Sequence, residues 1–463
     1  MRQRLGADLD IFDRVALSAI LVLALAIIGV VAAGNNIGVQ IESIVPDEFA
    51  RADASVRIRF FDDMQQGTVE ERFRISPERE GNLRWNGPRE LVFEPEVPWQ
   101  SGETYQIELD AGARSESGAT LRDAIEHTFT AAAPRVTYLS PAGALDRNLY
   151  LHDLNTGETQ QLTEAEYGVA DYDISADGEF IAYTRYNQEG LSDIWIYSMA
   201  TGTERRVTDC VEAFCSAPEW HPNGREIAYE RSEFDPLFGE TTARRMWIVD
   251  VQSAQSRLMF EDTQVTAHSA TYSPNGNRVA VVTTNPIGIL VQDFVGQDQV
   301  FIETIQGIIG DFSPDSTRLV YPIIVRGAVG SSFYPQLELV DLVAQERVAI
   351  TGANNAPIED STGTWRPTGT NELAVTRRFL DNRYTESLQV YLLNAGTREA
   401  EPLIVDEAYN HGFLAWSPDG SMLTMQRLSR STPGARPEIW VYNVPQDALQ
   451  QIANDAFMPD FIP

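Results

Sequence analysis

The segment Trp416-Ser417-Pro418-Asp419-Gly420, followed by Met422-Leu423-Thr424, decides the fold. Proline fixes φ and glycine accepts positive φ, so Ser-Pro-Asp-Gly reverses the chain tightly between two strands. The same unit occurs upstream. Ser175-Ala176-Asp177-Gly178 precedes Phe180-Ile181-Ala182-Tyr183, and Trp220-His221-Pro222-Asn223-Gly224 precedes Glu226-Ile227-Ala228-Tyr229. Tyr272-Ser273-Pro274-Asn275-Gly276 leads into Val279-Ala280-Val281. Phe312-Ser313-Pro314-Asp315-Ser316 and Trp365-Arg366-Pro367-Thr368-Gly369 lead into Leu319-Val320-Tyr321 and Leu373-Ala374-Val375. From Ala176 through Pro222, Pro274, Pro314 and Pro367 to Pro418 the steps are 46, 52, 40, 53 and 51 residues. A step of this size holds one four-stranded blade, so the repeat predicts an all-β ring.

Each copy continues in the same way. A third strand follows, such as Ile194-Trp195-Ile196-Tyr197, Met246-Trp247-Ile248-Val249-Asp250, Leu337-Glu338-Leu339-Val340-Asp341 or Ile439-Trp440-Val441-Tyr442. A short Gly- or Asn-containing turn and a fourth strand complete it. These residues resemble the propeller repeats of TolB-like and WD-repeat-like proteins. The ends of the region complement each other. Residues 135–163 supply three strands without a first one, and Pro459-Asp460-Phe461-Ile462-Pro463 aligns with the first strand Pro218-Glu219-Trp220-His221-Pro222. The C-terminal strand is therefore expected to close the ring, which removes open sheet edges. Six complete units plus this shared one predict a seven-bladed propeller over residues 135–463. A six-bladed ring, as in TolB itself, is the alternative.

Ahead of the repeats, residues 38–132 read as short strands between turns. Val56-Arg57-Ile58-Arg59-Phe60 alternates apolar and polar residues, the pattern of a half-buried strand. Glu90–Phe93, Tyr105–Leu109 and His127–Thr130 are further strand candidates, and Gly81, Gly87-Pro88, Pro95, Pro98, Gly102 and Gly118 punctuate them. The order Val56–Phe60, Met64 with Thr68-Val69, Leu91-Val92-Phe93-Glu94-Pro95, Gly102-Glu103-Thr104-Tyr105 and Thr128-Phe129-Thr130 resembles the bacterial Ig-like domain of S-layer and other surface proteins. The resemblance implies a β-sandwich that spaces or adheres.

Val15 to Ala33 is an apolar run broken only by Ser18. Its length suits a transmembrane helix, which needs about 20 residues. Arg2, Arg4 and Arg14 precede it and no basic residue follows until Arg51. The positive-inside rule then predicts a cytoplasmic segment 1–14, a signal anchor at 15–33 and residues 35–463 outside. Cleavage after Val31-Ala32-Ala33, giving a secreted chain, is the alternative.

Composition narrows the function. The net charge is −32, which disfavours nucleic-acid backbone as a partner. The sequence contains no lysine, which excludes Schiff-base and P-loop lysine chemistry. Neither a G-x-S-x-G elbow nor H-E-x-x-H nor G-x-G-x-x-G is present. His127, His152, His221, His268 and His411 are scattered. No catalytic residue, metal ligand or cofactor is assigned, and the chain is read as a protein that is not an enzyme. Cys210 and Cys215, five positions apart, are expected to form a local disulfide.

With strands lettered a to d from the centre outward, the b–c and d–a connections share one face. The longer b–c loops are 186–192, 232–243, 326–335, 379–386 and 429–437, and this is the candidate binding face. Arg185, Arg231, Arg377 and Arg427 occupy one repeat position near it. They form the candidate ligand site, suited to carboxylate or phosphate, with inter-blade salt bridges to residues such as Glu230 and Asp381 as the competing reading. The expected role is a membrane-anchored scaffold of the cell envelope, binding an envelope protein or an anionic glycan. A channel enzyme acting on envelope glycans, using Asp171, Asp173, Glu219, Asp311 or Asp460, and a structural surface-layer component are the alternatives.

Overall fold

Turn chemistry at each repeat is local and identical in kind. Ser175, Ser273, Ser313 and Ser417 each accept, through Oγ, the backbone N–H of the residue five positions on, at 2.9–3.0 Å. The same hydroxyls donate to Asp177, Asn275, Asp315 and Asp419. Gly178, Gly224, Gly276 and Gly420 lie at φ 65° to 72°, where a side chain is disfavoured. His221 substitutes for the serine: its Nδ1 accepts from Asn223 N–H, and its Nε2 donates to Gly276 O of the next repeat.

The computed structural model describes residues 18, 20–25, 38–52, 54–132, 134–327, 333–352, 356–368 and 371–462. The chain divides at Ala131/Ala132 into two units.

The N-terminal unit is two four-stranded sheets. One is ordered Ile41–Val45, Val56–Phe60, Glu90–Pro95, Gly81–Trp85, and the other Phe49–Ala50, Ile125–Ala131, Thr104–Leu109, Phe73–Ser76. The alternation at Val56–Phe60 is realised: Val56, Ile58 and Phe60 are buried, Arg57 and Arg59 exposed. The core centres on Trp99, which is fully buried between strands, packs on Tyr105, Phe129 and Phe93, and donates from Nε1 to Ala54 O.

The second unit is a β-propeller. Its sheets are built on inner strands Val169–Ile174, Ala213–Trp220, Ala267–Tyr272, Asp311–Phe312, Ile358–Trp365 and Tyr409–Trp416, each followed by three antiparallel strands. One parallel bridge, Ser192 to Phe214, joins the first two sheets. Phe457–Ile462 pairs with Arg135–Ser140, followed outward by Asn148–Asp153 and Thr159–Gln161, so the two ends of the unit share one sheet. Each pair of neighbouring sheets buries its own apolar cluster. One unites Ala182, Ile194 and Ile196 with Ile227 and Tyr229; another unites Val136, Tyr138, Ile439 and Phe461. Sheets that bury both faces against neighbours need little else to stay together.

The membrane anchor expected at residues 15–33 falls mostly outside the described residues. Residues 20–25 are helical, and among the described residues no helix is long and apolar enough to cross a membrane. A span of about 30 Å needs about 20 helical residues. The expected single-pass localisation, with residues 35–463 held outside by an anchor, is therefore not supported.

Candidate functional site

Inner strands carry a bulge at one recurrent place. Pairing shifts register between Ser216 and Glu219, His268 and Ala270, Asp360 and Gly363, Gly412 and Ala415, and Phe457 and Asp460. Ala217, Ser269, Phe413 and Met458 take positive φ there. A bulge leaves N–H groups outside the ladder, and a buried one must find an acceptor. Carboxylates of the preceding blade supply it. Asp171 accepts Ala217 N–H, and Glu230 accepts Ser269 N–H. Two and three residues past the bulge, Asp173 accepts Trp220 N–H, Glu219 accepts Tyr272 N–H, and Asp311 accepts Trp365 N–H and the Thr364 hydroxyl.

Asp171, Asp173, Glu219 and Asp311 thus act as blade-to-blade staples on the inner strands, while Asp460, on the inner strand Phe457–Ile462, accepts the N–H of Phe461. Their enclosure raises their pKa values: Asp171, Asp311 and Asp460 to about 6, Asp173 to about 7, and Glu219 well above the ordinary carboxylate range. Burial is the leading cause in each case. Repulsion adds to it: Asp460 raises Asp173, and Asp173, Asp311 and Asp460 raise Glu219. These carboxyls therefore take up protons at higher pH than ordinary Asp and Glu do.

The four arginines at the shared repeat position are each engaged within their own blade. Arg185 pairs with Glu204 at 3.0 Å and lies over Trp195, 4.8 Å from the ring centre. Arg231 pairs with Glu233 at 2.8 Å and lies over Trp247. Arg377 meets Asp360 in a bidentate contact, Nε to Oδ1 and Nη2 to Oδ2 both 2.7 Å, with both side chains enclosed. Arg427 pairs with Asp406 and lies 3.9 Å from the centre of the Tyr409 ring and 4.7 Å from that of Trp440. The third-strand aromatics Trp195, Trp247 and Trp440 are half-buried, one ring face covered by a guanidinium. The guanidinium–carboxylate–aromatic unit is a repeated structural element, and it does not gather the four arginines into one pocket. Cys210, in the d–a connection, and Cys215, in the inner strand Ala213–Trp220, form a disulfide.

His411 is fully buried. Its Nδ1 donates to Leu388 O, which leaves Nε2 as the acceptor, and burial lowers its pKa to about 4.

Sequence reading overlooked the apolar side chains of the loop face. Leu237 and Phe238 on one b–c loop are 88% and 77% exposed, and Val211 in the disulfide loop is 70% exposed. Leu145, Ile287, Ile305, Phe333 and Tyr384 extend the set on the same face. On the opposite face, the described turns expose only Val295 and Val343 among large apolar residues. The signal was present as Leu, Phe and Ile inside turn-rich loops, which propensity reading passes over. The d–a connections of this face also carry Glu164, Glu166, Glu212, Glu303 and Glu407, none ion-paired among the described residues, and they contain no arginine.

Comparison with known proteins adds the following. Residues 35–131 match the bacterial Ig-like domain, which identifies the N-terminal unit. Dipeptidyl-peptidase 5 of Porphyromonas gingivalis is 26% identical over 95 residues, covering 19% of this chain and 14% of that protein's length. TolB from Acinetobacter baumannii is a structural neighbour at 12% identity and TM-score 0.43, covering 92% of this chain and 99% of TolB. Prolyl endopeptidases align at 11% identity and TM-score 0.50, over 69% of this chain and 49% of theirs. The expectation that the chain is not an enzyme is overturned by these likenesses: peptidases have the same fold, so the propeller does not separate binding proteins from enzymes.

Proposed function

We propose that the second unit is a polypeptide-recognition propeller that engages its partner through the face of the b–c and d–a loops. The observation that carries this reading is the asymmetry of apolar exposure between the two faces. Exposed apolar groups on rigidly held loops mark contact surfaces, because only a partner removes them from water. The unpaired glutamates between them favour a partner that is basic as well as apolar. The sequence likeness to a dipeptidyl-peptidase supports polypeptide as the ligand class. We read the ring as seven-bladed. The support is the sheet shared by Phe457–Ile462 and Arg135–Ser140, added to the sheets that follow between Val169 and Asn454.

The test is selection of binders from a random 15-residue peptide library on the full chain. Recovered peptides are expected to be rich in arginine, lysine and aromatic residues. Leu237→Ser/Phe238→Ser is expected to weaken them about tenfold or more, since buried aromatic anchors dominate such contacts. Val295→Ser/Val343→Ser on the opposite face is expected to leave them unchanged. Equal loss in both variants, or peptides with no basic or aromatic bias, would remove the reading.

A further inference from the structure

Between the blade of Ala213–Leu258 and the blade of Ala267–Ile302 the propeller opens a cleft of about 950 Å³. Its size is at the upper end of small-molecule sites. The cleft has three chemical parts. Its floor is apolar: Ile248 and Met259 are buried there, and Leu290 and Phe294 pack against them while still lining the opening. Its inner wall includes Tyr272, 93% buried, whose hydroxyl has no hydrogen-bond partner. Glu226 and Arg257, which also line the cleft and pair with one another at 2.7 Å, are among the charges that act on that hydroxyl. At its lip stand Glu261 and Asp262, both exposed and neither ion-paired among the described residues.

A buried hydroxyl left without a partner costs roughly 1–3 kcal/mol, and native structures rarely retain one without a reason. An apolar floor open to water is unfavourable in the same sense. With Glu226 and Arg257 neutralising each other, the lip leaves the cleft negative. These three features select one ligand chemistry: an apolar body to cover the floor, a polar atom to meet the Tyr272 hydroxyl, and a positive charge to face Glu261 and Asp262. We propose that this inter-blade cleft is a binding site for a small amphiphilic organic cation, distinct in ligand from the loop-face contact proposed above, with its lip built from the d–a connection at residues 259–266. The carboxylates without an ion-pair partner among the described residues stand at the lip and the floor is apolar, so the charged end of the ligand points to the lip and the apolar end to the floor.

Two fluorophores that share a dansyl group and differ in charge test this on the full chain. Dansylcadaverine, a cation at neutral pH, is expected to bind saturably at one site with a blue-shifted rise in emission. Dansylglycine, its anionic counterpart, is expected to bind at least about tenfold more weakly. Glu261→Gln/Asp262→Asn is expected to weaken dansylcadaverine about 5- to 20-fold and to reduce its salt dependence. Tyr272→Phe is expected to weaken it about 3- to 10-fold. Leu290→Trp, which fills the floor, is expected to abolish binding. If that variant changes the circular dichroism or the melting temperature, the lip variant decides, because its two residues are exposed and its amides conserve their shape. Equal binding of both dyes, or dansylcadaverine binding unchanged by Glu261→Gln/Asp262→Asn, overturns the proposal. Binding of dansylcadaverine at many equivalent sites, expected of a chain with net charge −32 acting only as a polyanion, also overturns it.

Discussion

Asp360→Ala is expected to destabilise the propeller by about 3–5 kcal/mol, the range for removing one partner of a buried ion pair. Asp360 and Arg377 are 0% and 4% exposed, and two 2.7 Å hydrogen bonds join them in the fork geometry that suits guanidinium and carboxylate. Without Asp360, the Arg377 guanidinium keeps, among the described residues, a 3.4 Å contact to Thr351 O and its positions over the Phe379 and Tyr391 rings. An uncompensated cation in that setting is far costlier than a missing surface pair. Arg185→Ala is the matched control. Its pair with Glu204 is 25% exposed on both sides, and its loss is expected to cost about 1 kcal/mol or less. Urea denaturation of parent and variants reads both numbers. The double change Asp360→Leu/Arg377→Met separates pairing from packing: it is expected to recover most of the lost stability, since an apolar pair of similar volume replaces both charges. Asp360→Ala within 1 kcal/mol of the parent would mean that Arg377 finds another partner or reaches water.

This pair also shows what the sequence discloses and what it conceals. The recurrence of Arg185, Arg231, Arg377 and Arg427 is legible, because repeats align one strand with the next. Their partners are not. Asp360 lies 17 positions before Arg377 and Asp406 lies 21 before Arg427, distances that only the folded blade brings together. The turn motif is legible for the opposite reason: hydrogen bonds of Ser417 and Asp419 that span five residues or fewer tie it together. Inner strands stand between these extremes. Positive φ at Ala217 and Ser269 goes with N–H groups taken by carboxylates of the preceding blade, on residues with no local preference for it. The first unit repeats the lesson. Val56–Phe60 announces itself by alternation, whereas Gly81–Trp85, mostly exposed along its length, carries no apolar period to read. Trp99, the centre of that core, lies outside every strand, where patterning gives it no role.

Asp173→Asn/Glu219→Gln is expected to stabilise the propeller relative to the parent by roughly 2–4 kcal/mol at pH 8, and by much less near pH 4. The folded-state pKa of Asp173 is raised from 3.8 to about 7, and that of Glu219 lies well above its usual 4.5. A carboxyl raised in this way binds its proton more tightly in the folded than in the unfolded chain. Its stabilising contribution is complete below the unfolded pKa and is lost as pH rises through the folded value, for Asp173 between about pH 4 and 7. The amide replacements keep what the carboxylates do as acceptors, since Asn and Gln carbonyls can still take the Trp220 and Tyr272 N–H groups. They remove only the repulsion and the desolvation that ionisation brings. The facing charges are Asp460 and Asp311 across the channel, so the effect is partial: those two carboxyls, each at about 6, still titrate in the variant. His411 titrates in the opposite sense, its lowered pKa making the fold gain stability as pH rises from about 4 to 6.5. The difference between variant and parent cancels that term, and it is the quantity to follow by thermal melts from pH 4 to pH 8. A difference that stays flat across this range would mean that the channel acids remain ionised at all these pH values, with water in the channel solvating them. A difference that grows with pH would identify the staples between blades as the source of an acid-favoured fold, tightest where the inner carboxyls are neutral.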